Sequence, residues 1–232
     1  MIKTIVFALP VTLFCSCHSH DIFDAAARGR TSDVKALLAS GTDVNSRDYK
    51  GRTALINAAS RQQPDSVKLL IRSKADVNLQ DNKGDTALMK AARECDTSAF
   101  ASPGDDGMKI MSMLIDAGAN LDTKNKDGET ALMKAAERDK KGCARLLMQA
   151  GANVLARNNA GETALNIAEA RQASDVAYLL RNMTKRELKR LEEERQRLAR
   201  EEAEREEAER KEKEKEEQDK KEPETKAAEV KQ

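Results

Sequence analysis

A seven-residue block recurs four times in this chain, and that recurrence constrains the fold more than any other feature. It reads TALINAA at 53–59, TALMKAA at 86–92, TALMKAA at 130–136 and TALNIAE at 163–169. The copies start 33, 44 and 33 residues apart. A second block keeps the same phase: GTDVNSRDYKG from Gly41, KADVNLQDNKG from Lys74, GANLDTKNKDG from Gly118 and GANVLARNNAG from Gly151. A period near 33 describes one supersecondary unit copied end to end, each copy burying its apolar face only against its neighbours.

The blocks carry their own local physics. Thr53, Thr86, Thr130 and Thr163 stand where a helix N-cap belongs, with a hydroxyl for an orphan amide. The helix that follows is short, and Leu88, Ala91 and Ala92 share one face by i, i+3, i+4 spacing. A second helix ends at Gly41, Gly118 or Gly151, where a left-handed residue is cheap. Lys74 holds that place in one copy, at a cost on the order of 1 kcal/mol. A short extended arm then leads to a tight turn ending at Gly51, Gly84, Gly128 or Gly161.

Over residues 21–183 these motifs resemble the ankyrin repeat family. The turn glycines, the Thr-Ala-Leu helix start, the Leu37-Leu38, Leu69-Leu70, Met113-Leu114, Leu146-Leu147 and Leu179-Leu180 pairs, and the Gly-Ala-Asn strips carry the likeness. Ala54, Ala87, Ala131 and Ala164 stand where the family has Pro, and its His is absent; Ala is a good first-turn residue. The resemblance implies an all-α solenoid of helix-turn-helix pairs with short β-hairpin arms, in five repeats including caps. The first repeat lacks the Thr-Ala-Leu strip and reads as an N-terminal cap, with Phe23, Ala26, Val34, Leu37 and Leu38 as its apolar face. The last carries Asn166, Glu169, Arg171 and Gln172 and reads as a polar C-terminal cap.

The resemblance also implies recognition of another protein by the arm tips and the concave face. The tip residues are Tyr49, Lys50 and Arg52, then Gln80, Asn82 and Asp85, then Lys124, Lys126 and Glu129, then Arg157, Asn159 and Glu162. Asn57, Lys90 and Lys134 join them from the first-helix face. Tyr49 is the sharpest candidate, although it could instead pack along its own arm. The mixed charges predict a polar, patterned partner surface.

The third repeat is 11 residues longer than its neighbours, within 94–107, and the stretch ECDTSAFASPGDDG predicts a loop between its two helices. Phe100 either folds back onto the repeats or anchors a partner. Cys95 and Cys143 lie in adjacent repeats and are either a disulfide or two free thiols.

The two ends read differently. Residues 1–16 form a signal peptide: Lys3 precedes an apolar run too short to span a bilayer. Ser16-Cys17 resembles a bacterial lipoprotein signal, with Cys17 the acylated residue and 17–20 a linker. Phe14 departs from the usual Leu; plain cleavage near Ser19 or an uncleaved anchor are the alternatives. Cys15, Cys17, His18 and His20 have no packed scaffold for a metal. At the other end, residues 184–222 are almost all Glu, Lys, Arg, Gln and Ala, and predict a charged helix started by a Thr184–Glu187 capping box. Leu188, Leu191 and Leu198 begin a heptad stripe that Arg195, Glu202 and Arg205 interrupt. A solvated single helix is the expectation, with a dimerising coiled coil or disorder as alternatives, and 223–232 is expected to be a disordered tail.

The formal net charge is +1, Trp is absent, and no basic stripe or stacking aromatics point to nucleic acid. After the leader the only histidines are His18 and His20, which predicts a protein that is not an enzyme and needs no cofactor or metal. The expectation is therefore a monomeric protein-binding module, exported to the periplasm, outer membrane or cell surface and touching membrane only through an N-terminal lipid. An envelope spacer built on the charged helix, or a secreted effector binding host proteins, are the alternatives.

Overall fold

The computed structural model describes residues 21–95 and 106–229, and within them ten helices form and no strand. The first repeat holds α1 (Ile22–Ala27) and α2 (Thr31–Ala39). The second holds α3 (Ala54–Ser60) and α4 (Pro64–Arg72), the third α5 (Ala87–Glu94) and α6 (Asp106–Asp116). The fourth holds α7 (Ala131–Glu137) and α8 (Lys141–Gln149). The fifth begins with α9 (Ala164–Ala170), and α10 (Ser174–Glu229) follows. Four arms, at 41–53, 74–86, 118–130 and 151–163, lead into repeats two to five.

A threonine caps α3, α5, α7 and α9, and Asp21 caps α1. Thr53 Oγ1 accepts from Ile56 N at 3.2 Å and Thr86 Oγ1 from Met89 N at 3.3 Å. At Thr163 a full capping box closes, with Asn166 N donating to Oγ1 at 3.3 Å and Thr163 N donating to Asn166 Oδ1 at 2.9 Å. The five inner helices α1, α3, α5, α7 and α9 pack side by side, and α2, α4, α6 and α8 form a second row. The inner row is built on alanine: Ala58, Ala59, Ala91, Ala92, Ala135 and Ala136 are fully buried, so neighbouring backbones approach closely. Val67, Leu70, Ile110, Leu114 and Leu147 fill the space between rows. At the N-terminal end Phe23, Leu37 and Leu38 are only half-buried, because among the described residues that repeat has a neighbour on one side.

Three expectations are corrected. The arms are not β-hairpins among the described residues: each tip closes with two backbone bonds only, such as Asp48 N to Arg52 O at 2.9 Å and Gly51 N to Asp48 O at 2.8 Å, and no strand forms. Tip amides bond instead to side chains of their own arm, and one amide in each later arm bonds the backbone of the preceding arm, as Asn82 N does to Lys50 O, so no ladder forms within an arm. The charged helix does not start at Thr184. Residues 181–185 contain neither Gly nor Pro, so the helix begun at Ser174 runs through them, and Thr184 is interior to it. That helix also passes Pro223 and ends at Glu229, beyond the boundary expected for the tail. By contacts the chain divides into two units, Met1–Val176 and Ala177–Gln232.

Where the other repeats turn from inner to outer helix, a left-handed residue follows the inner helix: Gly29, Gln62, Asp139 and Gln172. The third repeat differs. Its α5 ends at Cys95 in extended backbone (φ −54°, ψ 123°). Cys95 is joined by a disulfide to Cys143 of α8, their Cα atoms 6.7 Å apart. Gly107, in the first turn of α6, lies so close that a Cβ there would sit 2.8 Å from Cys95 Cα. Both cysteines are fully buried.

Candidate partner-binding surface

The arm tips are shaped by one residue per arm. Asp48 Oδ1 accepts the amides of Lys50 (2.8 Å) and Arg52 (2.9 Å). Asp81 does the same for Lys83 and Asp85, Asn125 for Asp127 and Glu129, and Asn158 for Ala160 and Glu162. A short carboxylate or amide holding two amides fixes the turn from inside.

Two rows of side chains then tie each arm to the next. Arg47 Nη1 donates to Gln80 O, Gln80 Nε2 to Lys124 O at 2.9 Å, and Lys124 Nζ to Arg157 O at 2.8 Å. Asn45 Oδ1 accepts from Asp76 N, Asn78 Oδ1 from Asn120 N at 2.8 Å, and Asp122 Oδ1 from Asn153 N. The tips are joined through the backbone as well: Asn82 N to Lys50 O at 2.9 Å, Lys126 N to Lys83 O at 3.0 Å and Asn159 N to Asp127 O at 3.0 Å. Both rows end in the fourth arm, where Leu155 replaces the acceptor and Arg157 Nη1 bends back to Gly161 O at 2.6 Å.

Beneath the tips lies a charged network. Lys90 Nζ contacts Asp81 Oδ2 at 3.0 Å and Asp85 Oδ2 at 2.6 Å. Asn125 Nδ2 reaches Asp85 Oδ1 at 2.8 Å and Glu129 Oε2 at 3.1 Å, and Lys134 pairs with Glu129. Burial alone would raise the Asp85 carboxyl, but hydrogen bonds from Lys90 and Asn125 and the charges of Lys90 and Lys134 hold it below the ordinary range. For Asp48, burial raises and the Arg52 amide, Asn57, the Lys50 amide and the Arg52 charge together lower, with a net lowering.

This geometry sorts the residues expected at the surface. Asn57 and Asp85 are buried and do not present to a partner; Asn57 Nδ2 donates to Asp48 Oδ2 at 3.3 Å. Lys90, Glu129 and Lys134 are turned into ion pairs within the array. Gln80, Asn82, Lys124 and Asn159 hold the adjacent arm. Arg52 pairs with Asp48 at 3.3 Å, Arg157 with its own arm, and Glu162 with Asn158 at 3.0 Å. Lys50 and Lys126 stay exposed, and neither ammonium meets a carboxylate among the described residues. Tyr49 is 84% exposed, with Lys50 Nζ 5.1 Å from its ring centroid. Phe100 and Cys17 lie outside the described residues. Sequence reasoning did not single out Arg47, Asn45, Asn78, Asp122 or Lys83. Their signal was recurrence of a polar residue at one place in the first three blocks, which spacing alone cannot separate from a binding row.

Tyr49, Lys50, Arg52, Asp81, Asn82, Lys83 and Lys90 line a cleft of about 460 Å³ at the first two tips. A second cleft of about 440 Å³ lies under the third and fourth arms and includes Asp127, Glu137, Glu162 and Arg171. Among the described residues no group of three or more His, Cys, Asp or Glu could hold a metal, and no helix is long and apolar enough to cross a membrane.

Helix pairs stacked in order, joined by arms that bond laterally, define a repeat protein whose tips are its free surface. The sequence pattern of the family described as Ankyrin repeats (3 copies) matches residues 22–101 and 98–189, and the chain belongs to that family. No curated protein matches the chain. Ankyrin repeats are generally protein-protein interaction modules and typically non-enzymatic, which fits a binding role.

Proposed function

We propose that this chain is a non-enzymatic protein-binding module, exported and lipid-anchored through Cys17, that recognises a partner protein with the outer rim of its ankyrin solenoid. The observation that carries this reading is Tyr49. An aromatic 84% exposed at a turn has no core to join, and the turn beneath it is fixed by Asp48. Lateral bonds between arms keep the rim preorganised, so little ordering entropy opposes docking. The buried cystine supports export, since disulfides persist in oxidising compartments.

Affinity capture with the mature chain from the envelope of the producing cell tests the reading. A specific protein should be retained, and its yield should fall at least about tenfold with Tyr49→Ala. Capture that is indifferent to Tyr49→Ala and to tip charge would sink rim recognition. Incorporation of labelled palmitate, abolished by Cys17→Ser, tests the anchor separately.

One observation favours a second reading, a spacer between envelope layers. The helix Ser174–Glu229 is uninterrupted and spans roughly 84 Å at 1.5 Å per residue. Truncation after Lys185 that displaces the protein but leaves capture intact would support the spacer.

A further inference from the structure

We propose that the tips of the first three arms form a cation-lined strip that takes an acidic, extended segment of the partner protein, with Tyr49 as its anchor. The proposal rests on the rim-binding reading and names the chemistry of the partner.

The argument begins with which charges are already used. Every carboxylate beneath the first two tips is occupied. Asp48 holds two amides, Asn57 and Arg52; Asp81 holds two amides and Lys90; Asp85 holds Lys90 and Asn125. The exposed cations above them, Lys50, Lys83 and Lys126, meet no carboxylate among the described residues, and of the three Lys50 alone has a side-chain contact there, its ammonium 5.1 Å from the Tyr49 ring centroid. To the array they contribute only backbone bonds. Negative charge is thus buried and neutralised, while positive charge stands outward on consecutive tips.

Those tips are adjacent. Asn82 N bonds Lys50 O at 2.9 Å, and Lys126 N bonds Lys83 O at 3.0 Å, so one extended segment can pass over all three ammonium groups. The strip has two ends. At the N-terminal end Tyr49 offers an exposed ring, and its amide donates no hydrogen bond among the described residues, whereas the equivalent amides of Asn82, Lys126 and Asn159 each donate to the preceding arm. A carbonyl of the bound segment can take that open donor. At the other end the sign changes. Asp127 occupies the position held by Lys50 and Lys83 in earlier arms, and Ala160 holds it in the fourth. Asp127 stands beside Lys126 on the third tip, so the pull on an acidic segment is strongest over arms one and two and ends within the third. Three ammonium groups beside one aromatic suit a short segment with a side chain laid on Tyr49; a membrane or a nucleic-acid backbone calls for a wider basic field.

The test uses the full mature chain and a dye-labelled peptide of alternating glutamate and glycine, followed by fluorescence anisotropy. A matched lysine–glycine peptide is the control. The acidic peptide should bind, weaken with added salt, and lose about tenfold or more in affinity with the triple variant Lys50→Glu/Lys83→Glu/Lys126→Glu. Tyr49→Ala should weaken it by a salt-independent factor, and Lys35→Glu, an exposed change on α2, should leave it unchanged. Circular dichroism and thermal melting keep the variants comparable. Equal binding of both peptides, or a triple variant that binds like the parent, overturns the proposal. Binding to phosphatidylglycerol–phosphatidylcholine vesicles without peptide binding overturns it in favour of a membrane surface. If envelope capture still depends on Tyr49 while the acidic peptide fails to bind, rim recognition stands and the acidic partner falls. If both fail, both fall.

Discussion

The third and fifth repeats are copies of one block, yet they are held together in different ways. In the third, Asp85 is buried between Lys90 and Asn125; in the fifth, the same position is Glu162, exposed, and Ile167 replaces the lysine. In the arm of the third, Asn78 caps the amide of Asn120; in the arm of the fifth, Leu155 caps nothing. After its inner helix the fifth repeat closes with Gln172 and the bond Ala173 N to Ala168 O at 2.8 Å, whereas the third leaves α5 through Cys95 and its disulfide. The difference is position in the stack. A repeat with an arm on both sides bonds polar side chains to both neighbours, whereas among the described residues the fifth keeps bonds to the fourth only, such as Asn159 Nδ2 to Lys126 O at 2.8 Å.

The disulfide is the sharpest place to break the comparison. It crosses from the third repeat to the fourth over 48 residues, a separation for which loop-closure entropy alone is worth about 4 kcal/mol. Cys95→Ser/Cys143→Ser, or reduction of the parent, is expected to lower the urea midpoint by several kcal/mol equivalent, and hydrogen exchange should rise first in α5 and α8. Unchanged exchange in those helices would mean that packing of Gly107 against Cys95 is sufficient by itself.

Next in size is the buried charge network. Asp85→Ala leaves Asn125 without one acceptor and Lys90 with Asp81 alone, and should cost about 2 kcal/mol, while Glu162→Ala should stay within about 0.5 kcal/mol. The pH dependence carries the same contrast. A carboxyl whose folded pKa is lowered adds stability that is present above its unfolded value, about 3.9, and is lost as pH falls through the folded value. Asp85→Asn should therefore lose part of the acid limb of the parent stability curve. An acid limb identical to the parent would show that the Lys90 contact contributes nothing net.

Much of this was legible in the chain, for reasons that also explain what was not. Helix starts could be placed because a threonine cap and the Ala-Leu run act within four residues. The stack could be inferred because Ala58-Ala59, Ala91-Ala92 and Ala135-Ala136 recur at one helical face. Lateral contacts were invisible: whether Gln80 or Lys124 faces a partner or reaches a carbonyl 33 or 44 residues away depends on the arm beside it. So Asp85 at a tip and Asn57 on the first-helix face both read as outward residues, although both turn in. The expected start at Thr184 failed for a related reason: a capping pattern is decisive only where something ends the preceding helix, and nothing between Ser174 and Thr184 does.

The lateral row itself predicts a smaller effect. Asn78→Ala removes the acceptor of the Asn120 amide and should destabilise by about 1 kcal/mol. Leu155→Ala, at the same block position in the last arm, has no such bond to lose. If both variants melt together, side-chain capping between arms is not what separates inner repeats from the last.

The smallest expected effect has the opposite sign. Lys74 opens the arm of the third repeat at φ 67°, and Gly151 opens that of the fifth at φ 96°. Lys74 N still reaches Ile71 O at 3.0 Å and Ala75 N reaches Leu70 O at 3.0 Å, so the helix end is closed in the same way as at Gly151. A Cβ at Gly151 would meet nothing within 4 Å, so glycine is favoured there by its backbone angle and not by space. Lys74→Gly should therefore stabilise by about 0.5 kcal/mol, the left-handed penalty removed less the added freedom of the unfolded chain, and Gly151→Lys should destabilise by a similar amount. Both are measurable as small opposite shifts of the thermal midpoint. Two shifts of the same sign would show that the arm of the third repeat needs the lysine side chain for something other than its backbone.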